Sequence, residues 1–150
     1  MTEAATIREA QMVDVSAIIQ ILLGGSLHPE SESPDNPELY QKALAEAIDG
    51  LGTVLVAEVK GEVVGFGQLL VFRHIQNSGG LCAEIESLHV DERFRSRGIG
   101  GDLLQSLEAV ARDAACYRLQ LTSNKARTDA HRFYDAHGYI SSHLGFKKTL

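Results

Sequence analysis

The sequence predicts a single α/β domain over residues 1–150, with helices flanking a mixed, mostly antiparallel sheet. Three observations predict this class. β-Branched and aromatic runs fill the middle of the chain, between residues 53 and 90. Amphipathic helical patterns precede and follow those runs. After residue 81 a strand, a helix and a second strand follow one another, which is typical of a crossover between parallel strands.

The first third of the chain predicts one strand, two helices and the loop between them. A strand around Ile7 precedes a helix whose apolar residues recur at helical spacing: Val13, Ala17, Ile18, Ile21 and Leu22. We expect Asp14 or Ser16 to cap this helix. "GGSLHPESESPDNPE" contains all three prolines and is predicted to be a loop. A second helix is predicted from Pro37 to Gly50.

The middle third predicts three strands. "TVLVAEV" and "VVGFGQLLVF" are separated by "KGE", a three-residue turn containing glycine, so they should form an antiparallel hairpin. "HIQNSGG" turns the chain again. "LCAEIESLHV", residues 81–90, is then the fourth strand.

The last third predicts two helices and further strands. "DLLQSLEAVARDAAC" presents one apolar helical face, and "YRLQLTSN" is a fifth strand. "RTDAHRFYDAHG" is a helix that Gly138 should end in a left-handed conformation. "YISSHLGFKKTL" is expected to add a last strand or two.

Composition limits the classes of function. The apolar fraction of 44% and charged fraction of 23% are those of an ordinary globular protein. A net charge of −6 argues against a protein that coats nucleic acid. We expect no membrane span and no signal peptide. Cys82 and Cys116 lack CxxC spacing, so we expect them to be buried thiols in the reducing environment of the cytoplasm. No HExxH or paired Cys/His spacing occurs, so no metal is expected.

The motif that indicates chemistry is "RSRGIGG", between the fourth strand and the third helix. A helix that begins there exposes unpaired N–H groups and about half a positive charge. Gly98 and Gly100 let a diphosphate approach this backbone, and Arg95 and Arg97 add charge-assisted bonds. The segment therefore reads as a pyrophosphate cradle.

Two other phosphate motifs are excluded. The string GxxxxGK[ST] does not occur, and GxGxxG fails because Leu103 stands where the third glycine is required. An ordinary glycine-rich turn with solvated arginines remains the alternative on this motif alone. Arg93 precedes the pattern and is expected to be a surface residue.

Neighbouring motifs favour the cradle. "IESLHVDERFRSRGIGGDLL", "LTSN" and "AHRFYDAHGY", at this spacing, resemble the GNAT superfamily of acetyl-CoA-dependent N-acetyltransferases over about residues 53–146. That family's [QR]xxGx[GA] pattern is matched by Arg95, Gly98 and Gly100. Its FYxxxGF pattern is matched, with one variation, by Phe133, Tyr134, Gly138 and Tyr139.

The resemblance implies a mode of acetyl-CoA binding between splayed fourth and fifth strands. The pyrophosphate would lie on the backbone of Arg95, Ser96, Arg97, Gly98, Ile99, Gly100 and Gly101. Leu88 and Val90 would pair with the pantetheine arm. A backbone N–H near Leu88 or His89 would stabilise charge on the acetyl oxygen. Asn124 would face the cofactor cleft, and His131, Arg127 and Arg132 are further CoA contacts or simply solvated.

The resemblance also implies catalytic residues. An alkyl amine must lose a proton before it attacks, so a carboxylate base is useful. Glu86, preferred because it lies nearer the cradle, or Glu84 would supply it, and their even spacing predicts one face. Tyr134 would protonate the leaving thiolate. The alternatives are solvated carboxylates and a core aromatic.

The sequence thus predicts transfer of acetyl from acetyl-CoA to a primary amine by direct attack. The acceptor is expected to be a small molecule or a peptide, and the acidic residues Glu30, Glu32 and Asp35 would attract it. A homodimer through the C-terminal strands is expected by analogy. The competing hypotheses are a non-catalytic acyl-CoA-binding or sensing module on the same fold, and a nucleotide-binding domain.

Overall fold

The structure is a computed structural model that describes residues 4–150, and these form two compact units, the first ending at Gln120 and the second Leu121–Leu150. One sheet has the strand order β1 (Thr6–Glu9), β2 (Thr53–Val59), β3 (Glu62–Arg73), β4 (Leu81–Val90) and β5 (Arg118–Leu121). The longer helices are α1 (Val15–Gly25), α2 (Pro37–Asp49), α3 (Ile99–Asp113) and α4 (Thr128–Ala136). Shorter helical turns are Met12–Asp14, Pro29–Ser31, Gln76–Gly79 and Glu92–Phe94.

The sheet is mixed, as the sequence predicted. Strands β1 to β4 pair antiparallel with their sequence neighbours. Strand β5 runs in the same direction as β4: the N–H of Tyr117 donates to the carbonyl of Leu81 at 3.0 Å, and the Gln120 side chain reaches Glu84 further along. The α/β class with an open mixed sheet is therefore confirmed. The prediction of a single domain stays a prediction.

The β2–β3 hairpin is tighter than predicted. Val59 pairs with Glu62, so Lys60 and Gly61 alone form the loop. Both have positive φ, 51° and 79°, which is the conformation of a two-residue type I′ turn. The pairing of Glu62 shortens the predicted three-residue turn by one residue.

Helices cover both faces of the sheet. Val54, Val56 and Phe66 join buried residues of α1 and α2 in one core cluster. On the other face α3 lies close to β3, because a Cβ at Gly67 would stand 2.7 Å from the Leu107 side chain. A Cβ at Gly65 would likewise stand 3.1 Å from Leu103. The two glycines thus let α3 approach the strand that pairs with β4.

The start of α1 differs from the prediction. Val13 belongs to the preceding turn and is 79% exposed, so it does not join the helix stripe. Asp14 occupies the N-cap position, but it does not cap α1 and Ser16 is exposed. The buried Asp14 carboxylate instead accepts from the Gln11 N–H at 2.7 Å and from Arg8 at 2.7 and 2.9 Å. The pull of the Arg8 guanidinium redirects the predicted cap.

The second unit confirms one prediction and contradicts another. Gly138 follows α4 with φ of 85°, the expected left-handed ending. Residues 139–150 contain no strand, so the predicted last strands are wrong. Ser141, Ser142 and Gly145 interrupt the apolar alternation there. The apolar side chains of the segment are exposed: Ile140, Leu144 and Phe146.

Candidate functional site

The predicted cradle is a strained turn leading into α3. Ser96 and Gly98 both have positive φ, 60° and 84°. The helix's hydrogen bonding opens with the Asp102 N–H on the Gly98 carbonyl at 3.0 Å. The N–H groups of Ile99 to Gly101 precede this bond, so they lack intrahelical acceptors and converge at the positive end of the helix dipole. This arrangement suits an anion such as a phosphate.

Two exposed arginines of the same turn are tethered by backbone carbonyls. The Arg95 Nε donates to the carbonyl of Val90 at 3.0 Å, which ties the cradle to the end of β4. The Arg97 Nη2 donates to the carbonyl of Arg93 at 2.8 Å, and its guanidinium lies 5.0 Å from the Phe94 ring centroid. A guanidinium has five N–H donors, so each retains donors for a bound anion.

Arg93 has a different role. It forms ion pairs with Asp91 at 2.8 Å and with Glu62 at 2.7 Å. These hydrogen bonds raise the pKa of Arg93 and lower that of Asp91. Since two carboxylates neutralise it, Arg93 fastens the turn after β4 to the β2–β3 hairpin and lies outside the cradle, as its place before the motif indicated.

A β-bulge interrupts β4 at Glu86. Leu69 pairs with Ile85, whereas its neighbour Gln68 pairs with Ser87, so Glu86 is the extra residue. An extra residue reverses the alternation of side chains between the faces. Bulges of this kind re-aim side chains next to active sites.

The bulge separates the two candidate carboxylates. Glu84 pairs with Leu70 and therefore shares the face of Phe66, on the side of α1. Its carboxylate is half-buried and accepts from the Gln120 amide at 2.7 Å. Glu86 lies in the bulge and is exposed. Their even spacing therefore no longer fixes both side chains on one face.

The end of β4 beyond the bulge holds the predicted cofactor residues. Leu88 and Val90 face α3, where they pack beside Leu107 and Leu103 against β3. His89 faces α1, and its ring stacks on Phe66 with centroids 5.6 Å apart. The packing on both faces fixes the backbone of this segment.

Residues of the second unit lie around the start of α4. The Asn124 Oδ1 accepts from the Ala126 N–H at 2.9 Å. The Asn124 carbonyl accepts from the Arg127 N–H, at 2.9 Å, and pairs with the His131 ring at 2.9 Å. Asn124 therefore organises the turn into α4, and His131 is held by that turn.

Tyr134 is half-buried on α4. Burial raises the pKa of its hydroxyl above the usual value near 10, against a smaller opposing effect of Arg127. The ring contacts Phe133 and Tyr139, with centroids 5.2 and 5.7 Å away. A phenol in this setting is protonated at neutral pH and can donate its proton.

Two of the acidic residues predicted to attract the amine have partners close to them in the chain. In the acidic loop Glu32 accepts from the Tyr40 hydroxyl at 2.7 Å and Glu30 lies 3.1 Å from His28.

Cys82 is fully buried, and burial raises the pKa of the half-buried Cys116. Because the Cys82 thiol is inaccessible and burial disfavours the Cys116 thiolate, neither has the setting of a nucleophile. Within residues 4–150 no group of three or more His, Cys, Asp or Glu side chains is placed to hold a metal, and no helix there has the length and apolarity to cross a bilayer.

Sequence reasoning missed Gln120. Its side chain joins β5 to Glu84, and its Oε1 lies 3.8 Å from the Cys82 sulfur. A polar residue in the short apolar strand "RLQL" was the available signal. Only the register of β4 against β5 turns that signal into a contact.

Comparison with known proteins agrees with this geometry. Residues 18–139 match the profile of the Acetyltransferase (GNAT) family. An aminoalkylphosphonate N-acetyltransferase of Salmonella typhimurium is 40% identical over 90 residues, which span 60% of this chain and 58% of that protein. An aminoglycoside N(6′)-acetyltransferase type 1 of Stenotrophomonas maltophilia is 30% identical over 142 residues, 93% of this chain and 88% of its own length. A crystal structure described as a transcriptional regulator from Bacillus halodurans C-125 has a TM-score of 0.91 and 30% identity, covering 97% of this chain and 99% of that one.

Proposed function

The chain belongs to the Acetyltransferase (GNAT) family and is an N-acetyltransferase, and from that premise we propose how it acts and on what. It moves acetyl from acetyl-CoA to the primary amine of a small molecule by direct attack. The observation that carries the proposal is the cradle at the N-terminus of α3. Open backbone N–H groups, a left-handed Gly98 and two tethered arginines fit a pyrophosphate.

The residues present fit acetyl-CoA along β4 as well as at the cradle. The space around Gly98 supports this fit, because a Cβ placed there would have no atom within 4 Å. Bound acetyl-CoA supplies an activated acetyl thioester. The backbone of Leu88 and Val90 holds the pantetheine arm, and an N–H near Leu88 or His89 stabilises negative charge on the acetyl oxygen. Asn124 is a further proposed contact of the cofactor.

Two proton transfers belong to this chain's side chains. Freeing an alkyl amine at pH 7 costs roughly 4 to 5 kcal/mol, which a carboxylate can offset by accepting the proton. Glu86 or Glu84 takes that role, directly or through a water molecule. Tyr134 donates a proton to the departing thiolate, and the protonated state of its hydroxyl at neutral pH supports this.

The acceptor class follows from the relatives. Their names specify an aminoalkylphosphonate and an aminoglycoside, which share an exposed primary amine on a small polar molecule. We therefore place this chain's acceptor among small polar amines. A net charge of −6 argues against nucleic-acid binding. Two unpaired cysteines support a reducing compartment such as the cytoplasm, and the exposed Ile140 and Phe146 support a homodimer.

An acceptor screen tests the proposal. Thiol release from acetyl-CoA is followed with aminoalkylphosphonates, aminoglycosides, amino sugars, polyamines, amino acids and peptides. Release that requires one acceptor class, with a matching acetylated product by mass spectrometry, is the expected result. Tight binding of acetyl-CoA with no release for any amine would overturn it.

One observation favours a second candidate function. The similar crystal structure is described as that of a transcriptional regulator, which fits a module that binds or senses acyl-CoA without turnover. Calorimetric titration with acetyl-CoA, beside the acceptor screen, separates the two functions. The sensing module binds acetyl-CoA, and no amine consumes it.

A further inference from the structure

A side-chain amide ties β5 to one candidate base. The Gln120 Nε2 donates to the Glu84 Oε2 at 2.7 Å, and both side chains are half-buried. At its other end the Gln120 Oε1 lies 3.8 Å from the Cys82 Sγ, whose one proton also has the Ala83 carbonyl within 3.6 Å. Only the NH₂ end of the amide can donate to a carboxylate, so the 2.7 Å bond fixes which end of Gln120 faces Glu84.

The surroundings leave this carboxylate accessible. Glu84 lies opposite Leu70, which is 39% exposed although it belongs to a central strand. The helices on the α1 side therefore leave this part of the sheet open. A carboxylate has about four lone-pair positions, so one bond from Gln120 leaves capacity for an amine or a water. Glu86, by contrast, projects from the bulge and is exposed.

We propose that Gln120 is a positioning residue, which holds Glu84 so that its carboxylate accepts the proton of the acceptor amine. The proposal rests on the proposed acetyltransfer and selects Glu84 over Glu86 within it. A proton acceptor works only when its orientation is fixed relative to the amine, and a neighbouring hydrogen bond that engages one oxygen supplies this orientation.

The protons and electron pairs balance. The ammonium group gives one proton to the Glu84 carboxylate, and the freed nitrogen lone pair forms a bond to the acetyl carbon. The carbon–sulfur bond breaks, and its electron pair leaves on the thiolate. The nitrogen loses a second proton as the amide forms, while the thiolate takes one up. The net products are the N-acetyl compound, CoA thiol and one proton released from Glu84 to solvent.

The test uses two substitutions at position 120. Gln120→Met keeps the length of the side chain and removes the donor, and Gln120→Glu places a second carboxylate beside Glu84. We expect kcat to fall about tenfold for Gln120→Met and further for Gln120→Glu, with the KM for acetyl-CoA unchanged.

Coupling to Glu84 separates positioning from a structural role. In a double-mutant cycle, Gln120→Met should cost almost nothing further in a Glu84→Gln background. Gln105→Met, on an exposed position of α3, is the matched control and should behave as wild type.

Each outcome bears on one claim. Wild-type kcat in both Gln120 variants, or losses that multiply with Glu84→Gln, would overturn the positioning role alone. If wild type releases no thiol with any amine, the proposed acetyltransfer fails and the positioning role falls with it. Should Gln120→Met fail to fold by circular dichroism, Gln120→Glu carries the same comparison.

Discussion

Gly25, the last residue of α1, lies directly against the imidazole of His89 on β4. A Cβ at Gly25 would stand 2.5 Å from the His89 Nδ1. That ring also stacks on Phe66, so it cannot withdraw without loss of the stack. The close approach of α1 thus fixes the part of β4 assigned to the acetyl oxygen.

Gly25→Ala should therefore displace His89. We expect a loss of about 2 kcal/mol in the free energy of unfolding, because the new methyl group overpacks a filled site. Urea denaturation measures it. Gly24→Ala is the control, since a Cβ there has no atom within 4 Å and alanine favours the helix. Equal stabilities of the two variants would refute the close contact.

Gly98→Ala tests the cradle. A φ of 84° makes alanine cost about 1 to 2 kcal/mol of stability, although its methyl group meets no protein atom. The methyl group would stand beside the N–H groups assigned to the pyrophosphate. We expect a roughly tenfold weaker Kd for CoA by calorimetry.

Gly61→Ala provides the matched control for Gly98→Ala. Its φ is 79° and its surroundings are equally open, but it lies in the β2–β3 hairpin. It should lose similar stability and keep wild-type CoA affinity. ATP and NAD titrated in parallel should bind more weakly than CoA, and preference for either would support a nucleotide-binding domain instead.

Tyr134→Phe removes the proposed proton donor and keeps the ring. We expect kcat to fall about 100-fold, within the range of general acid catalysis, while CoA affinity is retained. Since burial raises the pKa of Tyr134, activity that depends on its proton should persist to higher pH than the usual range of a tyrosine allows. Tyr139→Phe is the control on the same segment. Unchanged kcat in Tyr134→Phe would remove the tyrosine from its role.

Ala115 has a φ of 59° just after α3, where an L side chain is strained. Ala115→Gly should raise the free energy of unfolding by about 1 kcal/mol, because glycine adopts this conformation without the steric cost. Ala114→Gly is its counterpart, since Ala114 has an ordinary φ of −76°. It should give no such gain. Thermal unfolding of both variants checks the difference.

The lowered pKa of Asp14 predicts that the fold loses stability in acid. Its hydrogen bonds with Arg8 lower its pKa in the folded state. The unfolded chain therefore binds this proton first as pH falls, so the stabilisation is complete well above pH 4 and is lost below it. Asp14→Asn should cost about 2 kcal/mol at pH 7, since it removes two charge-assisted hydrogen bonds from Arg8 and leaves that guanidinium with Glu58 as its carboxylate partner. It should also flatten the acid limb. Asp35→Asn, in the exposed loop, should retain the wild-type profile.

Local patterns predicted most of the fold and the cradle. The hairpin, the bounds of β4 and the left-handed Gly138 follow from short-range propensities and turn chemistry, which are written in neighbouring residues. The cap of α1 was not predicted correctly, because Arg8 on β1 attracts the Asp14 side chain away from the start of the helix. The C-terminal strands failed because a strand exists only when another strand pairs with it.

The bulge at Glu86 was likewise hidden, since it is a relation between β3 and β4 and not a property of either string. The contact between Gln120 and Glu84 could not be predicted for the same reason, since it depends on how β4 pairs with β5. Both need the register of long-range pairs, which a single sequence does not specify.

The bulge also gives this strand one place where its length can change. Side chains at even positions face α1 before Glu86 and α3 after it, so β4 contains two stretches of opposite parity. Deleting Glu86 would restore the regular pleat, because the residues on either side of it already lie opposite neighbouring residues of β3. Leu88 and Val90 would still face α3, and His89 would still face α1. A regular strand exchanges its faces when it loses one residue, whereas β4 can lose this one and keep both faces.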